Sequence, residues 1–138
     1  MSGEKAVQKA YESILGQHFE EAVEWFHKAI ELEPGNADYH YKLSITYARN
    51  GNIKDALFHA EWAHRLSPSK KEYEVHVKTL KAKECSLLAE RLIGEGEDGC
   101  RLAAGYLRQA LKMNPLEEKA YLLLAAAHAG TGDYLGEI

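Results

Sequence analysis

The 138-residue chain sets 17 Lys and Arg against 21 Asp and Glu, and its net charge of −4 is spread along the sequence, so no block of like charge marks a nucleic-acid or membrane-surface binder. Its longest apolar run, Tyr121 to Ala127, falls far short of the roughly 20 residues that a membrane helix needs, and "MSGEKAVQKAYE" lacks the apolar core of a secretion signal. We therefore expect a soluble, cytoplasmic protein without membrane insertion, whose two cysteines, Cys85 and Cys100, are separate reduced thiols rather than a disulfide framework or zinc knuckle.

In chain order, the first predicted element starts near Gly3 and is only weakly patterned. The second is clear. In "FEEAVEWFHKAIEL" the apolar Phe19, Ala22, Val23, Phe26, Ala29 and Ile30 recur at steps of three and four, while Glu20, Glu21, Glu24, Lys28 and Glu31 take the other face. That is the pattern of an amphipathic helix. Pro34, which lacks a donor and restrains the residue before it, should stop this helix near Leu32 or Glu33. "PGNAD" then makes the turn, with Asn36 as the cap of the next helix. "ADYHYKLSITYARN" gives that helix, closed by Asn50 and Gly51, which tolerate the left-handed backbone of a helix end. "IKDALFHAEWAHRL" runs on to Pro68. After it, Ser69 to Ile93 is about 25 residues free of Pro and Gly, which predicts one elongated helix of nearly 35 Å at roughly 1.5 Å per residue. Gly94, Gly96 and Gly99 read as a flexible loop after it. "CRLAAGYLRQALKM" and "EEKAYLLLAAAHAG" supply two more helices.

The spacing of these elements repeats. Ala22, Ala29 and Pro34 return, with their mutual spacing unchanged, as Ala56, Ala63 and Pro68, and after a longer interval as Ala103, Ala110 and Pro115. His40, Leu43, Ser44, Tyr47 and Gly51 return in the same register as Tyr121, Leu124, Ala125, His128 and Gly132. The phase thus survives an insertion in the third unit, which lengthens the step from Pro68 to Pro115 beyond that from Pro34 to Pro68. Small Ala side chains at the repeated positions let two helices approach closely, and stacking such pairs hides the apolar surface that one pair leaves exposed.

A helix–turn–helix with Leu43 and Tyr47 in its first helix, Gly51 at the turn, Ala56 and Ala63 in its second and Pro68 at its end, recurring at the interval that separates Pro34 from Pro68, resembles a tetratricopeptide repeat. Ser44 stands where the family usually has glycine, and His40 where it has tryptophan. The resemblance implies an all-α, right-handed superhelical solenoid of antiparallel helix pairs. About three and a half repeats fit the chain as one domain over 1–138: units of 3–36, 37–70, 71–117 with the insertion, and an incomplete 118–138 that matches through Gly132 and Tyr134. The long third-unit helix is either a docking feature or a tolerated insertion.

In this family the first helices of successive units line a concave groove. The resemblance places Val7 and Tyr11 of the first unit, Tyr41, Ile45 and Arg49 of the second, and Leu122 and Ala126 of the fourth in that groove. Family members that hold the acidic tails of heat-shock chaperones use Lys and Asn where this chain has Val7 and Tyr11, so that function is not expected. An extended or helical peptide with apolar anchors suits the lining better. The plain alternative is that these side chains pack on neighbouring helices.

Candidates for chemistry fall away. None of the seven histidines lies in HExxH or at ligand spacing from cysteine. "GEGEDG" has the glycines of a phosphate loop, but its three acidic residues repel phosphate and no strand precedes it. We expect no enzyme activity, no cofactor and no metal, but a scaffold for a protein or peptide partner. Two alternatives stand beside it: a docking segment of a larger enzyme, and a homo-oligomer joined through the apolar "AYLLLAAAHA".

Overall fold

The computed structural model describes residues 1–132, and every regular element in them is a helix. In order these are α1 (Gly3–Leu15), α2 (Phe19–Leu32), α3 (Ala37–Arg49), α4 (Ile53–Leu66), α5 (Lys71–Ile93), α6 (Gly96–Met113) and α7 (Glu118–Thr131). The expected match of the fourth repeat through Tyr134 lies outside the described residues.

The helix boundaries follow from local chemistry. Ser2 caps α1 by accepting the Lys5 N–H at 3.1 Å, and Asn36 caps α3 by accepting that of Asp38 at 3.1 Å. At the three prolines the same exit recurs. The backbone N–H groups of Glu33, Ser67 and Asn114, each just ahead of a proline, donate to the carbonyls of Ala29, Ala63 and Ala110 at 3.0, 3.0 and 2.8 Å. The repetition in sequence is therefore a repetition of hydrogen bonds. Between α3 and α4 the chain turns through a left-handed residue, Gly51 at φ 84°, and Gly132, at the matching place after α7, has φ 75°. In the first turn the equivalent position, one repeat before Gly51, holds Gln17 at φ 62°.

The chain divides into two compact units, Met1–Val77 and Lys78–Ile138, with the division inside α5. The core of the first joins α1, α2 and α3 through Ala6, Val7, Ala10, Phe26, Ala29, Tyr39 and Leu43. The α3–α4 pair is antiparallel, since His40 meets His59 whereas Ser44, further along α3, meets the earlier Ala56. The core of the second unit is unusually rich in small residues, with Ala82, Ala89, Cys100, Ala103, Ala104, Leu107, Ala110, Ala120 and Ala127 packed together. Repeated alanines from Ala22 to Ala110 are fully buried in both units. Each admits a neighbouring helix that a larger side chain would hold away.

One sequence expectation is corrected. The glycines after α5 do not make a flexible loop: only Gly94 and Glu95 separate the helices, and Gly96 to Gly99 already belong to the first turn of α6. Gly96 adopts φ 85°, and a Cβ on Gly99 would overlap the Leu92 carbonyl, so these glycines serve a tight helix-to-helix turn. Glu97 and Asp98 sit in that first turn, where negative charge suits the helix dipole. The elongated helix itself is present, with 23 residues.

Candidate peptide-binding face

The expected groove residues of the first compact unit lie on α1 and α3. Val7 packs into the core at 8% exposure, so it supports the helix from below. Tyr11 is 45% exposed and rests its edge on Phe26, with ring centroids 5.9 Å apart and planes at 88°. Tyr41 and Ile45 are half-buried. The ring of Tyr41 lies 4.9 Å from Tyr73 and 5.1 Å from His76, both on the opening turns of α5. Arg49 is exposed at the end of α3. With Ile14, Gln17, Phe19, Thr46 and Asn50 it lines an open cleft of about 230 Å³, room for one large side chain. Leu122 and Ala126, in the second compact unit, sit four residues apart on α7, both exposed.

A polar chain fixes the aromatic residues. The Tyr73 hydroxyl donates to Asp38 Oδ1 at 3.3 Å, and the Lys42 ammonium reaches the other Asp38 oxygen at 2.5 Å. Burial works against the charge on Lys42, yet its bond and attraction to Asp38, followed by Tyr11, outweigh that and hold its pKa above the usual lysine value. Burial, then the Asp38 charge, raises the Tyr73 phenol. Lys70 lies over the Tyr73 ring at 4.9 Å. Tyr11, Tyr41 and Tyr73 are thus held by neighbours on three different helices.

Two further residues, on α5, are candidates for this face. Val75, one repeat interval after Tyr41, is 54% exposed on α5, and His76 accompanies it. The signal for Val75 was in the sequence as that same interval, but the altered first helix of the third unit hid it. His76 is held from behind: Ser44 Oγ gives its proton to the Ala56 carbonyl at 2.6 Å, so His76 Nε2, 2.8 Å away, must be the donor to Ser44.

Behind α3 stands a cluster of histidines. His40 Nδ1 and His59 Nδ1 are 3.0 Å apart and both residues are buried. His40 stacks on Trp62 with centroids at 5.6 Å, His59 stacks on Tyr47 at 5.8 Å, and His27 meets His59 edge-on at 5.5 Å. Burial, aided by His40 and His27, pushes the His59 pKa down to about 4, and burial with His27 lowers that of His40. Burial alone lowers His76. Among the described residues, no three or more His, Cys, Asp or Glu side chains converge as a metal site, and no helix is long and apolar enough to cross a membrane. Cys85 and Cys100 are free thiols.

Comparison with known proteins agrees with this architecture. A family model described as TPR repeat matches residues 15–51, and one described as Tetratricopeptide repeat matches residues 95–138. The chain belongs to the tetratricopeptide repeat family. No curated protein matches its sequence. Among solved structures, the first TPR of Spaghetti (RPAP3), bound to the HSP90 peptide SRMEEVD, shares 14% identity at a TM-score of 0.54, with 95% of this chain and 94% of that one covered. The Arabidopsis OM64 TPR domain shares 18% at 0.53, covering 93% and 95%. MamA from Desulfovibrio magneticus RS-1 shares 15% at 0.56, covering 96% and 86%. At these identities the likeness is one of fold.

Proposed function

We propose that the chain is a protein-interaction scaffold whose α1–α3–α5 face binds a peptide segment with apolar or aromatic anchors. The observation that carries this reading is the strip of Tyr11, Tyr41, Ile45 and Val75, part-exposed on successive first helices of the repeats. Such rings offer large contact area at small entropic cost, and their hydroxyls serve a polar rim. Because Tyr11 and Tyr41 are already held by Phe26, Tyr73 and His76, little side-chain freedom remains to be lost on binding. A related fold is described with an HSP90 peptide bound. That acidic peptide suits this face poorly, because Val7 and Tyr11 occupy the places where a carboxylate needs cationic or amide donors.

The test is capture of partners from lysate with the native protein and with a Tyr41→Ala plus Ile45→Ala variant. Loss of the captured species in the variant supports the reading, and equal capture overturns it. The peptide SRMEEVD serves as a second probe, for which we expect no saturable binding. A second reading rests on α7, where Leu122 is 75% exposed beside an exposed Tyr121: association of copies through that stripe. Light scattering on Leu122→Glu decides it, since assembly that persists unchanged removes α7 as the interface.

A further inference from the structure

We propose that His40 and His59 form a proton-sharing latch between α3 and α4, which acid opens. The geometry allows one proton between the two rings. With their Nδ1 atoms 3.0 Å apart, one nitrogen donates and the other accepts, so one imidazole is the Nδ1–H tautomer and the other carries its proton on Nε2. A second proton at this contact sets N–H against N–H, and the bond becomes a repulsion inside a buried site. The latch then has to part.

What faces the pair decides whether that proton finds a counter-charge. From α2 comes His27, itself a base, with its Nε2 3.4 Å from the Tyr47 hydroxyl. From α3 comes Tyr47, stacked on His59. From α4 come Trp62 beneath His40 and Phe58 edge-on to His59 at 5.1 Å. Two fixed charges stand one residue further out. The Arg65 guanidinium covers Trp62 at 4.6 Å, and Asp55 raises the Tyr47 phenol after burial has done so. The groups in ring contact are thus neutral or basic, and Arg65 adds a positive charge on the far side of Trp62. One added proton goes to the outer Nε2 of the donor ring and leaves the bond in place; a second, on the acceptor Nδ1, costs the 3.0 Å bond and sets two like charges together in a buried site. A latch with one Nδ1 lone pair free joins the helices, and one with both rings protonated separates them.

The consequence reaches the surface, since His40 is the residue before Tyr41 on α3. The device stands independently of whether that face binds a peptide. Amide hydrogen exchange on the intact chain at about pH 7 and about pH 4.5, corrected for intrinsic rates, tests it together with NMR titration of the histidine ring carbons. We expect protection of α3 and α4 to fall at least about tenfold in acid while α6 and α7 hold theirs, with the His59 ring only beginning to titrate at the acid end of that interval. The His59→Phe variant keeps a ring in place but removes the shared proton, and its α3–α4 exchange should change with pH much less than that of the native chain, the remainder coming from buried His40 and His76. An equal loss of protection in both compact units, or a selective loss of undiminished size in the variant, overturns the proposal. Should His59→Phe fail to fold, the native titration still decides: His40 and His59 rings that both take up protons with α3–α4 protection unchanged sink the latch.

Discussion

Ser44 and Ala56 meet across the α3–α4 pair through a hydrogen bond of 2.6 Å, hydroxyl to backbone carbonyl. Because Ser44 commits its proton there, it turns a lone pair to His76 and so ties the start of α5 to the same point. Replacing Ser44 by Ala keeps the close helix approach but leaves the His76 Nε2–H without this partner. We expect a loss of about 1–2 kcal/mol, read from the midpoint of urea unfolding, and a larger loss for Ser44→Val, whose branches overfill a fully buried position. An unchanged midpoint for Ser44→Ala shows that the triad of Ser44, Ala56 and His76 contributes nothing to stability.

Stability should fall in acid before the carboxylates titrate. An unfolded imidazole takes up its proton near pH 6.5, while His59 in the folded chain waits until about 4. Over that interval the unfolded chain holds more protons, so its stabilisation grows as the pH drops. The contribution of His59 is complete above pH 6.5 and is lost progressively towards 4, amounting to as much as about 3 kcal/mol. His40 and His76 shift in the same direction. Denaturant titrations at intervals through this range check the slope, and a flat profile contradicts the burial of neutral rings.

Among the described glycines, Gly99 should be the costliest to replace by Ala. The added Cβ meets the Leu92 carbonyl, a backbone atom that has no rotamer to change. The turn from α5 to α6 must then open, at about 1–3 kcal/mol or more. Gly105→Ala on the same helix meets nothing within 4 Å and serves as the control; there the helix gains about 0.5–1 kcal/mol. Thermal unfolding of the two variants should therefore move in opposite directions.

Gln17→Gly should stabilise the protein. Gln17 holds φ 62° at the position that Gly51 takes in the second unit and Gly132 in the last, and left-handed backbone costs a side-chain-bearing residue about 1–2 kcal/mol. Part of that relief is offset by the greater freedom of glycine in the unfolded chain, which leaves a net gain of about 0.5–1 kcal/mol. A melting temperature that falls instead means the Gln17 side chain contributes more at its cleft than the strain costs.

Much of the fold was legible because its causes are local. Pro34, Pro68 and Pro115 stop helices whatever surrounds them, and the exits they enforce reuse the carbonyls of Ala29, Ala63 and Ala110. The interval from Pro34 to Pro68 aligned the units, and the resemblance to a tetratricopeptide repeat then implied that Tyr11, Tyr41 and Ile45 share a groove. It also ranked Val7 with them, although Val7 is in the core. Register gives the stripe to which a side chain belongs, but the depth of that stripe depends on how closely the next helix lies.

Sequence alone thus determined the helices, their order and the repeat that pairs them, since each depends on residues within one or two turns of each other. Tertiary structure alone decided which polar groups meet. His40 and His59 stand 19 positions apart, and Ser44 and His76 32 apart. Their contacts exist only because antiparallel packing of α3 on α4, and of α5 beside them, closes those intervals. The same packing turned "GEGEDG" from an expected loop into the start of α6, because what mattered at Gly99 was the Leu92 carbonyl pressed against it, and nothing in the stretch itself announces that neighbour.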